Sequence, residues 1–281
     1  MTDFITVLSY PFMQRALIVG ILISVCSALL GVSLVLKRYS MIGDGLSHVG
    51  FGALALAATL NLAPLIVAIP VVIVAAILLL RLAGNSKMKG DSAIAVISTS
   101  ALALGVIIVS VNGTNTDLSN YMFGSILSLN TQDTVTSIIV TILVSFLFIF
   151  FYHRIFAITF DEEFSKATGT KVTLFNTILA VLTSVTVVIG MRMMGTLLVS
   201  SLIIFPALSS IRVCKTFKGV TVTAAVISVL SFLVGLFLSY KLSFPTGATI
   251  VVTNLCILIL SFLYRKITDK LKLKKNYKNA P

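Results

Sequence analysis

The chain has 281 residues, 58% hydrophobic and 11% charged, with a mean hydropathy of +1.10. A soluble domain carries about a quarter charged residues, so a soluble globular fold is excluded and an integral membrane protein is indicated. The net charge of +12 would suit a nucleic-acid partner, but the basic residues lie in short loops between apolar runs and near the C-terminal end, so no such partner is expected.

Runs of about 17–25 mostly apolar residues predict helices that cross a lipid bilayer. They fall at Ala16–Leu36, Met41–Leu60, Leu62–Leu82, Ala93–Val111, Val135–Tyr152, Val172–Met191, Leu197–Ile211, Val220–Tyr240 and Pro245–Tyr264. The seventh is short and holds Pro206, which reads as a broken or half-crossing segment, so the count is eight or nine, with nine favoured. With nine spans and the C-terminal end inside, every Lys and Arg except Arg15, Arg192 and Lys241 falls on the inner side, as the positive-inside rule requires. The N-terminal end then lies outside; eight spans would put it inside. The expected fold is an all-α polytopic membrane protein, with a transmembrane domain over 1–264 and a basic cytoplasmic tail over 265–281.

Two connections carry signals of their own. The polar stretch Asn112–Thr134 has no Lys or Arg and contains an amphipathic piece, Tyr121–Leu129, expected at the outer interface. The longest inner loop is His153–Lys171. Within it Asp161 stands at an N-cap position, Glu162 and Glu163 in the first turn, and Gly169 at the stop, predicting a short cytoplasmic helix at about 160–170. Such a charged helix reads either as a docking surface or as a solvated connector. Cys26, Cys214 and Cys256 offer neither a disulfide framework nor a zinc knuckle and read as buried structural thiols.

No phosphate-cradling Gly-x-x-x-x-Gly-Lys-Ser/Thr and no His-Glu-x-x-His occurs, which excludes an ATPase site of that kind and an intramembrane zinc protease. There are two histidines. His153, beside Arg154 at a span end, reads as interfacial. His48 lies inside a span, four residues after Asp44, so the two side chains share one helix face. An acid at membrane depth costs about 2.5–3.5 kcal/mol and usually marks a function, and carboxylate with imidazole is a donor pair for divalent transition metals. The competing reading makes Asp44 a helix cap and hydrogen-bonds His48 to a backbone carbonyl. Glycines at 43, 45, 50 and 52 either leave room beside the pair or let helices approach closely. Two ligands fall short of the four that zinc takes, and a two-fold dimer would supply four. Met191, Met193 and Met194 read as packing, and Arg192 with Asp133 as a candidate ion pair.

Pro11-Phe-Met-Gln-Arg15, Leu34-Val-Leu-Lys-Arg38, Gly43-Asp-Gly-Leu-Ser-His48, Tyr121-Met-Phe-Gly-Ser125, Phe160-Asp-Glu-Glu-Phe164, Ile203-Ile-Phe-Pro-Ala207 and Pro245-Thr-Gly-Ala-Thr249 follow one another in order. Together they resemble the permease subunits of the ABC importers for zinc and manganese, over nearly the whole chain. The resemblance implies a bacterial cytoplasmic-membrane permease that pairs with a second copy of itself and with two cytoplasmic ATPase subunits. It also implies an extracellular metal-binding protein that delivers the cation. Asp44 and His48 would be the intramembrane metal ligands. Asp161, Glu162, Glu163, Phe164 and Gly169 would belong to the helix that couples to the ATPase. The chain would hold no permanent cofactor and no ATPase site, and would carry zinc first, manganese next and iron third as substrate. The rival class, an ATPase-independent secondary transporter or channel, calls for more protonatable groups within the spans. A membrane enzyme would need a Ser or Thr paired with a base, and none is evident.

Overall fold

The computed structural model of the chain describes residues 9–85, 90–111, 124 and 131–278. Among these, the regular elements are all helical: α1 (Pro11–Leu36), α2 (Ile42–Thr59), α3 (Pro64–Asn85), α4 (Gly90–Val111), α5 (Thr131–Phe150), α6 (Tyr152–Phe160), α7 (Glu162–Ala167), α8 (Val172–Met194), α9 (Thr196–Val213), α10 (Phe217–Leu242) and α11 (Thr246–Lys278). Seven of them (α1, α3, α4 and α8 to α11) are each long and apolar enough to cross a membrane, and α5 with α6 makes an eighth, bent by 66°. Helix α2 misses that measure because Asp44 and His48 lower its hydropathy. Its 18 residues nevertheless span about 27 Å, close to the thickness of a hydrocarbon core. It packs between α3 and α4 in the bundle, a ninth helix of crossing length among the described residues.

Pro206 does not break its helix. Helix α9 runs through it from Thr196 to Val213, because the proline is buried and packed neighbours hold a membrane helix across one missing N–H. The break falls at Phe151. There the chain turns into α6, which buries Ile155 and Ile158 and exposes His153 and Arg154, the pattern of a helix lying along an interface. The inner loop expected from His153 to Lys171 is therefore mostly helix, α6 followed by α7.

Helix α1 is the axis of the bundle, packed against α5, α8, α9 and α10. Small residues make this possible. A Cβ on Gly31 would lie 2.1 Å from the Ile203 carbonyl oxygen of α9, so only glycine fits that contact. Polar pairs then tie the helices: Ser228 Oγ of α10 donates to the Ser24 carbonyl at 2.9 Å, and Cys26 Sγ lies 3.3 Å from Thr186 Oγ1 of α8.

At the C-cap of α1, Lys37 reaches Asn176 on α8 and Glu162 on α7. The foot of α1 and the short helix α7 therefore share one face of the bundle, and Pro11 lies toward the other, in accord with nine spans.

Cys26 is buried as expected, whereas Cys214 is half-buried and Cys256 exposed. Cys256 sits on the outward face of α11, so its apolar neighbours in sequence did not imply burial. Met191, Met193 and Met194 are each 1% exposed and belong to the core. The piece Tyr121–Leu129, apart from Gly124, and the side chain of Asp133 lie outside the described residues. Gly124 (φ +68°) rests against the backbone of Met194 and Gly195, at the turn between α8 and α9. Helix α11 continues without a break from its apolar part into the basic residues as far as Lys278.

Candidate metal centre

Asp44 and His48 lie on α2, one turn apart, with His48 Nε2 3.5 Å from Asp44 Oδ2. The capping alternative does not hold. Met41 is the N-cap, without a side-chain bond, and Asp44 lies inside the first turn. The imidazole faces the carboxylate rather than a carbonyl, and its Nδ1 is buried with no hydrogen-bond partner. A second helix contributes as well: Ser200 Oγ on α9 donates to Asp44 Oδ1 at 3.4 Å. The contact joins the first turn of α2 to the second turn of α9.

The four glycines of α2 are contacts rather than empty room. A Cβ on Gly43 would meet Ile203, on Gly45 Ile94, on Gly50 Met191, and on Gly52 the carbonyl of Ala101. They let α2 settle against α4, α8 and α9 with its polar face turned to a cavity of about 350 Å³. Met41, Asp44, Gly45 and His48 line one wall of that cavity, and Ile94, Ala95, Ser98, Thr99 and Leu102 of α4 line the other. The Asp44 and His48 side chains remain 40% and 29% exposed, so both are open to a ligand. Ser98, Thr99 and Ser200 stand apart in sequence and carry no motif; only folding brings them to the pair.

Two donors held about 2.1 Å from one zinc at the tetrahedral angle lie about 3.4 Å apart, close to the separation of Asp44 Oδ2 and His48 Nε2. No group of three or more His, Cys, Asp or Glu side chains gathers anywhere among the described residues. One chain therefore offers a pair of donors, and water, hydroxyls or a second chain must complete a coordination shell.

The short inner helix α7 takes the form its sequence signals. Asp161 caps it, accepting from the Phe164 N–H at 2.8 Å, and Gly169 takes a left-handed φ of +81° just past its end. Its residues divide between two directions. Glu162 turns toward α1 and α8, while Glu163 and Phe164 face out, Phe164 with 65% of its surface exposed.

Residues 9–265 match the ABC 3 transport family. The chain belongs to that family. Similar relatives include the manganese import system permease protein ScaB of Streptococcus gordonii, 32% identical over 90% of this chain and 91% of that protein. The high-affinity zinc uptake system membrane protein ZnuB of Haemophilus influenzae is 31% identical over 92% of this chain and 99% of its own length. Among solved structures, PsaBC from Streptococcus pneumoniae in complex with Fab superposes with a TM-score of 0.87 at 31% identity, covering 97% of this chain and 99% of that one. As a member of the ABC 3 family the protein is an importer permease, a multi-pass subunit of the bacterial plasma membrane.

Proposed function

We propose that this permease carries a divalent transition metal into the cytoplasm, driven by ATP hydrolysis in a partner subunit, with Asp44 and His48 as the transient ligands. The observation that carries this reading is the pair itself, 3.5 Å apart and open to a cavity between α2 and α4. Zinc and manganese both suit a carboxylate and an imidazole among hydroxyls, and the donor spacing is in keeping with zinc as the first choice. A two-fold pairing of chains would bring two Asp44 and two His48 to one axis and complete a four-ligand site. Cysteines placed singly at positions 41–48 should then crosslink between two copies in membranes, and an absence of crosslinks along that whole stretch would remove the shared site.

Asp161–Gly169 is the docking element for the ATPase. The outward Phe164 supplies an aromatic anchor and Glu163 a charged rim, while a metal-binding protein delivers the cation at the opposite face. Few ligands hold the ion without trapping it, as passage requires. A secondary transporter is the weaker reading: among the acids with described side chains, all but Asp44 lie on or beside α7 or in the basic part of α11. The test is co-purification in mild detergent followed by reconstitution. The chain should bring down an ATPase subunit, Phe164→Ala should release it, and radiolabelled zinc or manganese should enter proteoliposomes only with ATP. Uptake from the permease alone would overturn the reading.

A further inference from the structure

The Lys37 side chain, at the foot of α1, is 6% exposed. Its Nζ donates to Asn176 Oδ1 at 2.5 Å and lies 3.7 Å from Glu162 Oε2. Asn176 Nδ2 in turn donates to Glu162 Oε1 at 3.1 Å. Three elements thus meet in a closed triangle: the end of α1, the first residue of α7 and the second turn of α8. Burial pulls the Lys37 pKa below the usual lysine value, and the Glu162 carboxylate opposes that pull. A charge held this way is a poor stabiliser, since desolvation offsets most of the attraction. Its placement matters more than its contribution to stability.

The connection from Lys37 to the metal helix has no slack. Arg38 N–H donates to the Val35 carbonyl at 3.1 Å and Tyr39 N–H to the Leu34 carbonyl at 2.8 Å. These are the two bonds of a Schellman turn, and Arg38 takes the left-handed φ of 63° that it needs. Ile42 N–H then donates to the Tyr39 carbonyl at 3.0 Å, and Gly45 N–H to the Met41 carbonyl at 2.9 Å. Between Lys37 and Asp44 the short turn is thus closed at Arg38, Tyr39 and Ile42 by backbone hydrogen bonds. A displacement of α7 that carries Glu162 with it has a direct path to the first turn of α2.

We infer that Lys37 and Asn176 are positioning residues that link the inner helix α7 to the metal-bearing start of α2, so that movement at the ATPase face shifts Asp44 against Ser200. This inference rests on the ATP-driven reading above. It adds a route that bypasses the long helices: the drive enters at Glu162, crosses to Lys37 and reaches the Asp44/His48 pair through a seven-residue turn. The outward Phe164 and Glu163 take hold of the partner, and the inward Glu162 passes the motion on.

The test uses the full complex of permease and ATPase in proteoliposomes, reading metal ions imported per ATP hydrolysed. Lys37→Met keeps the length and apolar stem and removes the charge; Asn176→Leu removes the other side of the triangle. Each is expected to lower ions per ATP about tenfold, the size of a typical coupling between sites, with ATP hydrolysis and complex assembly retained. Lys37→Arg, which still reaches Glu162, is expected to restore coupling. If the wild-type complex imports no metal with ATP, the proposed function itself fails. If the wild type imports metal and both variants keep its ions per ATP, the linkage fails alone. Equal loss of uptake, hydrolysis and assembly in both variants assigns Lys37 and Asn176 to stability only, and overturns the linkage as well.

Discussion

Asp44→Asn is expected to reduce metal uptake by about a hundredfold or more, since loss of even an outer-shell partner of a metal costs about 10–100-fold. The substitution keeps the shape of the side chain and a hydrogen-bonding oxygen for Ser200, and it leaves every glycine contact of α2 untouched. It removes the negative charge that a divalent ion meets in the cavity and turns one of the two acceptor oxygens into an N–H donor. His48→Ala removes the second donor and should cost a similar factor. The alternative account, in which Asp44 merely favours the start of a helix, gives a different magnitude. A carboxylate in the first turn stabilises a helix by about 0.3–1 kcal/mol, which would lower the unfolding temperature slightly and leave transport unchanged. Uptake of radiolabelled zinc and manganese in cells carrying each variant, beside the level of permease in the membrane, separates the two. Wild-type uptake from both variants would dismiss Asp44 and His48 as ligands.

What the sequence made legible is what depends on neighbours along the chain. The spans follow from apolar runs. The helix α7 follows from Asp161 and Gly169, because a cap and a stop act over three or four residues. Asp44 and His48 pair because positions four apart on a helix face the same way. Other features depend on what lies across the bundle, and these were hidden. Ser200 is 156 residues from Asp44 and Asn176 is 139 from Lys37, and nothing local distinguishes either. The sequence points to a break at Pro206, since a proline is the visible cause of a kink, whereas the bend at Phe151 comes from an amphipathic helix turning onto an interface. The glycines of α2 admitted two readings because a missing side chain looks the same whether it leaves space or lets a neighbour in. Cys256 misled for a related reason: in lipid an apolar surface faces outward, so hydrophobic surroundings in sequence do not mark the interior.

Gly31→Ala should be among the most damaging single changes outside the metal pair. The added methyl would sit 2.1 Å from the Ile203 carbonyl oxygen and 2.9 Å from its carbonyl carbon. These are backbone atoms of α9, which cannot rotate away as a side chain can, so α1 and α9 must separate. Overpacking of this kind costs about 1–3 kcal/mol, occasionally more, and thermal unfolding followed by helical circular dichroism should show a clear fall in midpoint. Gly20→Ala is the control. Its methyl would clash at 1.9 Å with the end of the Phe232 ring, a side chain rather than backbone, so the two helices need not part and a smaller effect on α9 is expected. The damage at Gly31 should also reach transport. Ile203 is the residue that Gly43 packs against, and Ser200, one turn earlier on α9, holds the Asp44 carboxylate. Moving α9 away from α1 therefore loosens the metal pair from its only contact across the bundle that involves a hydrogen bond to Asp44 among the described residues. Metal uptake per folded permease should fall in Gly31→Ala and remain near wild type in Gly20→Ala. A stable Gly31→Ala permease with full uptake would mean that α9 does not hold the pair in place.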